Sequence, residues 1–289
     1  MFDRVEAFHR PDTIREALRL LQSGKGQARV VAGGTDLVVE SDNSVRILID
    51  ITRAGLSYIR RREQAYVIGA TTTMTQIEES DVIRSLAGGL VARAAATCGS
   101  IQIRNMATVG GNLANASPAA DVATALLVLD ASVVVADANG KRKLPLPEFL
   151  ESARTRSFAK ALLTEVAIPE PANSRRCGWS FQKLGRTAVD ISLVSVAAGM
   201  QLDTNGRVRW ARIALGAVAP SPMRATGAEK LLAGRTLDQQ VIAQASEEVA
   251  REVQPISDQR ASAEYRREMS RVFAGRAIRE CAEAVGWRL

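Results

Sequence analysis

Two stretches of this sequence crowd glycine together with small hydrogen-bonding side chains: Ala32-Gly33-Gly34-Thr35-Asp36 and Thr108-Val109-Gly110-Gly111-Asn112. An ordinary turn needs one or two such residues, for positive φ or a local side-chain bond, and tolerates large neighbours around them. Backbone N–H groups at a glycine turn or helix amino terminus are unpaired donors at the positive end of the helix dipole, so they suit phosphate. Small side chains let the phosphate approach. Thr35, Asp36, Thr108 and Asn112 add hydroxyl, carboxylate and amide groups. Two such segments in one domain suit a diphosphate with oxygens on two sides, whereas either pair alone reads equally well as a tight turn. Asp121, ten residues past Gly111, would be repelled by a phosphate. It is expected to face groups that donate to it, such as ribose hydroxyls, or else to cap the helix that follows.

The remaining inventory excludes most chemistry carried by the chain's own side chains. His9 is the only histidine, which argues against a Ser-His-Asp triad or a multi-histidine metal site. Cys98, Cys177 and Cys281 are far apart and form no C-x-x-C pair, so neither a disulfide framework nor an iron–sulfur site is encoded. No G-x-G-x-x-G follows the first strand, and the SGKGQ stretch lacks the spacing of a P-loop. The 38 basic residues exceed the 31 acidic ones by a net +7. They are scattered, and only 4% of residues are aromatic, so a nucleic-acid surface is not expected. No stretch approaches the roughly 18 apolar residues of a membrane span. The start, MFDRVEAFHRPD, lacks the apolar core of a signal peptide, and a cytoplasmic location is expected.

The elements that must position these residues follow from local signals. Thr13 and Glu16 have capping-box spacing, Ile14, Ala17, Leu18 and Leu21 share a face, and Gly24 suits a helix end. ARVVAGGTDLVVE reads as strand, glycine turn and a new element from Thr35 or Asp36. VRILIDIT and AYVIGATTTM read as buried strands, the second leading to a helix from about Thr75. LVARAAATCG is expected to be helical and SIQIRNMA irregular. VATALLVLDA should be a helix, SVVVADANGKRKLPL a hairpin turning at Asn139-Gly140, and LLTEVAIPEP a strand. A domain boundary is placed at PANSRRCG. Beyond it, two long strands joined at Asn205-Gly206 and two helices, about Asp238 to Val253 and Ser262 to Val285, predict an α+β domain.

VVAGGTDL, IRNMATVGGNLANASPAAD, FQKLGRTAVDISLVSVA and RASAEYRREM together resemble the FAD-binding subunit of molybdenum hydroxylases, the xanthine dehydrogenase and carbon monoxide dehydrogenase group. The resemblance runs in order from near Phe2 to the last helix. It implies an α/β FAD-binding domain of the vanillyl-alcohol oxidase/PCMH type over residues 1–174, with two subdomains split near 58. An α+β carboxy-terminal domain over 175–289 then follows. It implies cofactor contacts for Val31, Ala32, Gly33, Gly34, Thr35 and Asp36, and for Thr108, Val109, Gly110, Gly111 and Asn112. Ser117 lies in the same ligand-facing stretch, Asp121 matches a ribose-side carboxylate, and Asp190 and Ile191 fall where the family approaches the isoalloxazine. Cys98 stands where some relatives carry an aromatic beside the nucleotide. The implied cofactor is non-covalent FAD; the implied partners are an iron–sulfur small subunit with 2Fe-2S clusters and a large molybdopterin subunit, assembled as a dimer of heterotrimers. Electrons would pass through the FAD to NAD, oxygen or another acceptor. The competing readings are a stand-alone flavoenzyme of the same fold and a non-catalytic nucleotide-binding protein.

Overall fold

The computed structural model describes residues 4–40, 42–155, 157–171 and 176–287. The expected boundary at 174/175 lies outside the described residues. In chain order the strands are β1 (Ala7–His9), β2 (Ala28–Val31), β3 (Ile47–Asp50), β4 (Ile59–Arg62), β5 (Ala65–Gly69), β6 (Ser132–Asp137), β7 (Gly140–Pro145), β8 (Leu162–Pro169), β9 (Cys177–Leu184), β10 (Val194–Leu202), β11 (Val208–Gly216) and β12 (Met223–Arg224). The helices are α1 (Ile14–Ser23), α2 (Leu37–Glu40), α3 (Met74–Glu79), α4 (Asp81–Ser85), α5 (Leu90–Ala96), α6 (Ile101–Met106), α7 (Val109–Asn115), α8 (Asp121–Val128), α9 (Leu146–Arg154), α10 (Thr226–Leu232), α11 (Gln239–Glu252) and α12 (Ala263–Ala284). They group into two compact units that interleave along the chain. The first takes Met1–Ile77, Ser100–Ala116 and Ala131–Pro169, and the second takes Glu78–Gly99, Ser117–Asp130 and Glu170–Leu289.

The first unit holds two sheets. A parallel three-stranded sheet in the order β1-β3-β2 is covered by α1. Thr13 Oγ1 accepts the Glu16 N–H at 3.2 Å to start that helix, and Ala17 and Leu21 bury against Ala28, Ile49, Ile51 and Leu56. The second sheet runs β4-β5-β8-β6-β7 and is antiparallel throughout. Its β6–β7 turn falls at Asn139-Gly140, with Gly140 at φ +120° and the Asn139 N–H bonded to Asp137 Oδ1 at 2.8 Å. Two local expectations move. The capping box ahead of α3 is Thr73 with Gln76, each side chain accepting the other's N–H (3.2 and 2.8 Å), and Thr75 instead donates its hydroxyl to Asn105 Oδ1 at 2.6 Å. SIQIRNMA, expected to be irregular, is the helix α6, opened by Ser100 Oγ accepting the Ile103 N–H.

The second unit is a four-stranded antiparallel sheet, β12-β11-β10-β9. β10 is apolar without a break because both its faces are covered. Val194, Val196, Ala198 and Met200 join the core built with Val241, Ile242, Ala245, Phe273, Ala274, Ala277 and Ile278 of α11 and α12. The alternate residues Ser195, Ala197 and Gly199 are small, and α8, buried along its whole length, packs on β10 there: a Cβ at Gly199 would lie 3.0 Å from Val128 Cγ1. Arg266, buried at the start of α12, donates to the carbonyls of Leu193 (2.7 Å) and Ala217 (3.2 Å) and to Asp258 Oδ1 (2.9 Å). The Arg260 N–H, with those of Ala261 and the Arg266 guanidinium, holds the Asp258 carboxyl well below the usual carboxylate range. A carboxyl lowered on folding stabilises the fold above its unfolded pKa, about 3.9, and that contribution is lost as pH falls through the folded value. Asp258→Asn is therefore expected to lower Tm at neutral pH and to converge on the wild type in acid, as thermal melts from pH 7 down to pH 2 would record.

Candidate functional site

The first glycine pair follows β2 directly. Val31 still belongs to the ladder, its carbonyl accepting the Ile51 N–H at 3.0 Å. Gly34 turns the chain at φ +69°, a conformation with a steric cost for any residue carrying a Cβ. The Val38 N–H then bonds to the Gly34 carbonyl and the Glu40 N–H to that of Asp36, forming α2. The N–H groups of Gly33, Gly34, Thr35 and Asp36 make no hydrogen bond within the chain. They are four consecutive free donors on a turn leading into helix, an anion-binding arrangement.

The second pair is built differently. Thr108 caps α7, its Oγ1 accepting the Gly111 N–H at 3.1 Å, so Gly110 and Gly111 are helical. Val109 donates to the Thr72 carbonyl (3.0 Å), Gly110 to that of Ala70 (2.8 Å) and Asn112 to that of Thr108 (3.0 Å). This corrects the expectation of free amides on both segments: those of Val109 to Asn112 are all engaged within the chain. Gly110 is glycine because a Cβ would sit 2.6 Å from the Ala70 carbonyl oxygen. Gly111 is exposed, and a Cβ there would meet only Thr108 Oγ1, at 3.1 Å. Asn112 Oδ1 is buried without a partner. The two segments do come together: a Cβ on Gly33 would collide with the Met106 carbonyl.

The other expected residues lie in the second unit. Asp121 is buried as the first residue of α8, and Ala120 takes the N-cap position, so the capping alternative for Asp121 is not what the structure shows. Its Oδ1 accepts the Ser192 hydroxyl at 2.6 Å, and its Oδ2 accepts Lys183 Nζ at 2.9 Å and Thr97 Oγ1 at 3.4 Å. Lys183 also donates to the Thr97 carbonyl at 2.7 Å. Ser192 carries the neighbouring Asp190 and Ile191 towards Asp121. Asp190 pairs with Arg186 at 2.5 Å, and that bond lowers its carboxyl pKa. Ile191 is half exposed. Ser117 Oγ accepts the Ala119 N–H at 3.3 Å. Cys98 is half-buried, its thiol donating to the Ala94 carbonyl at 3.5 Å.

Residues 2–171 match the model of the FAD-binding domain in molybdopterin dehydrogenases. The chain belongs to that family. Residues 179–281 match the carbon monoxide dehydrogenase flavoprotein C-terminal domain. Among relatives, the chain is 31% identical to the glyceraldehyde dehydrogenase medium chain of Sulfolobus acidocaldarius, covering 98% of this chain and 100% of that one. It is 33% identical to a putative xanthine dehydrogenase FAD-binding subunit of Escherichia coli, covering 100% of both. Among solved structures it is similar to the carbon monoxide dehydrogenase of Hydrogenophaga pseudoflava that lacks the Mo-pyranopterin moiety. That match has a TM-score of 0.88 at 28% identity, over 97% of this chain and 98% of that one. The architecture is the two-subdomain FAD-binding fold of the vanillyl-alcohol oxidase/PCMH type followed by an α+β domain.

Within the FAD-binding domain, the four free amides and the open side of Gly111 fit a diphosphate laid against main chain. Sequence reasoning missed Lys183 and Ser192. A lysine in a strand whose neighbours Trp179 and Ser180 are buried was the available signal, because a buried ammonium must find a carboxylate.

Proposed function

We propose that this chain is the FAD-carrying electron-transfer subunit of a heteromeric molybdenum hydroxylase, passing electrons from iron–sulfur clusters to NAD, oxygen or another acceptor. The observation that carries the reading is the run of free amides from Gly33 to Asp36, set against Met106 beside the outward-facing Gly111. When bound, FAD supplies the exchange between one-electron and two-electron redox chemistry, which no side chain here provides. The chain's own work is to hold it. The Gly33–Asp36 amides donate to the diphosphate, Gly111 leaves the space in which it lies, and Asp121, Ser117, Asp190 and Ile191 are assigned to its ribose and ring sides. A 2Fe-2S cluster takes four thiolates, whereas Cys98, Cys177 and Cys281 sit in separate elements. An iron–sulfur small subunit and a molybdopterin large subunit are therefore the partners in this reading, in a dimer of heterotrimers.

Native purification tests it. The expected result is one flavin per chain, released as FAD on acid precipitation, with two further subunits co-purifying. Flavin with turnover of a small substrate by the chain alone would favour the stand-alone flavoenzyme, and a colourless chain without partners would overturn the assignment.

A further inference from the structure

Exposed apolar side chains gather around the glycine pairs. Val38 and Val39 of α2 are 64% and 82% exposed, and Ile101, Ile103 and Met106 of α6 are 64%, 41% and 56% exposed. Neither helix has a buried residue. The first glycine pair bridges them, since Gly33 abuts the Met106 carbonyl and a Cβ on Gly34 would lie 3.7 Å from Val38 Cγ2. In the first unit the one other large apolar side chain so exposed among the described residues is Phe8, over which the Arg10 guanidinium lies at 5.7 Å.

The patch amounts to on the order of 500 Å² of apolar surface, the size at which a patch on a monomer marks an interaction site. It also matches the apolar core of an interface burying about 800 Å² per partner. Cofactors occupy concave sites that enclose most of the ligand. A side chain as exposed as Val39 stands proud of the surface and suits a protein partner. α6 adds Arg104 to a chain of net charge +7, and a cluster held by four thiolates brings negative charge to meet it.

We propose that the α2/α6 face is the docking surface for the iron–sulfur subunit, placing its cluster beside the loops assigned to FAD. The inference rests on the function proposed above, because it takes the electron donor to be a separate chain. In the co-expressed complex, a Val39→Asp/Ile101→Asp variant is expected to keep its flavin content and melting temperature while the iron–sulfur subunit recovered with it falls at least tenfold. Oxidative footprinting of the wild type gives a second readout that does not depend on the variant folding: Met106 should be oxidised readily in the isolated flavin-loaded chain and be shielded in the complex. Full recovery of the iron–sulfur subunit with the variant would overturn the proposal. So would Met106 already shielded by FAD in the isolated chain, or an isolated chain that dimerises through this face. A wild-type chain that carries no flavin, or that co-purifies with no iron–sulfur subunit, would instead refute the functional reading.

Discussion

Gly111→Val is expected to yield a folded, colourless protein. Gly111 sits in the first turn of α7 with ordinary helical backbone, and a Cβ there meets only Thr108 Oγ1, at 3.1 Å. Replacing a helical glycine recovers about 0.5–1 kcal/mol of backbone entropy, against a few tenths for a β-branched side chain and at most about 1 kcal/mol if the Thr108 cap is disturbed. Stability should therefore change little. The valine methyls would fill the space in which the diphosphate lies, and FAD affinity should fall at least a hundredfold, about 2.7 kcal/mol. Gly33→Ala makes the contrast. Its Cβ collides with the Met106 carbonyl, so flavin and stability should be lost together. Flavin absorbance per chain after gel filtration, alongside a circular-dichroism melt, separates the two cases. A Gly111→Val protein with stoichiometric FAD would remove that position from the site.

The difference between these glycines could not be read from the sequence, because it depends on what lies opposite each one. Composition marked both pairs, but the amides of the second are taken by Ala70 and Thr72, which are remote in the chain. Elements opened by a local cap were legible. Thr13, Asp238 and Ser262 each accept the N–H three residues on, at 3.2, 2.8 and 3.1 Å, and α1, α11 and α12 begin where the sequence predicts. α6 was hidden because it has no buried residue, so its apolar residues form no core-facing stripe for periodicity to detect. α9 was hidden by Pro147, which reads as a breaker but is tolerated in a first turn. Asp121 was recognised while its partners were not, since Lys183 and Ser192 lie 62 and 71 residues further on.

That pairing changes what Asp121→Ala should do. A carboxylate exposed to a ligand would cost only binding, about 1.5–3 kcal/mol for bonds to a charged group. Here the substitution also strands the Lys183 ammonium, which is 10% exposed and left with the Thr97 carbonyl as its remaining acceptor, and it leaves the buried Ser192 hydroxyl without one. Breaking a buried pair from one side costs about 3–5 kcal/mol, a fall in Tm of roughly 10 °C for a unit of this size. It also removes a negative charge from the amino end of α8, where the helix dipole favours one. Asp121→Leu with Lys183→Met removes both charges, and most of the lost stability should return. FAD titration of that double variant then isolates the ligand role. Affinity still reduced tenfold or more in a chain whose melting temperature has recovered would assign the pair to the cofactor, while wild-type affinity would make Asp121 and Lys183 purely a strut of the second unit. Asp121→Ala melting like the wild type would contradict the buried pair itself.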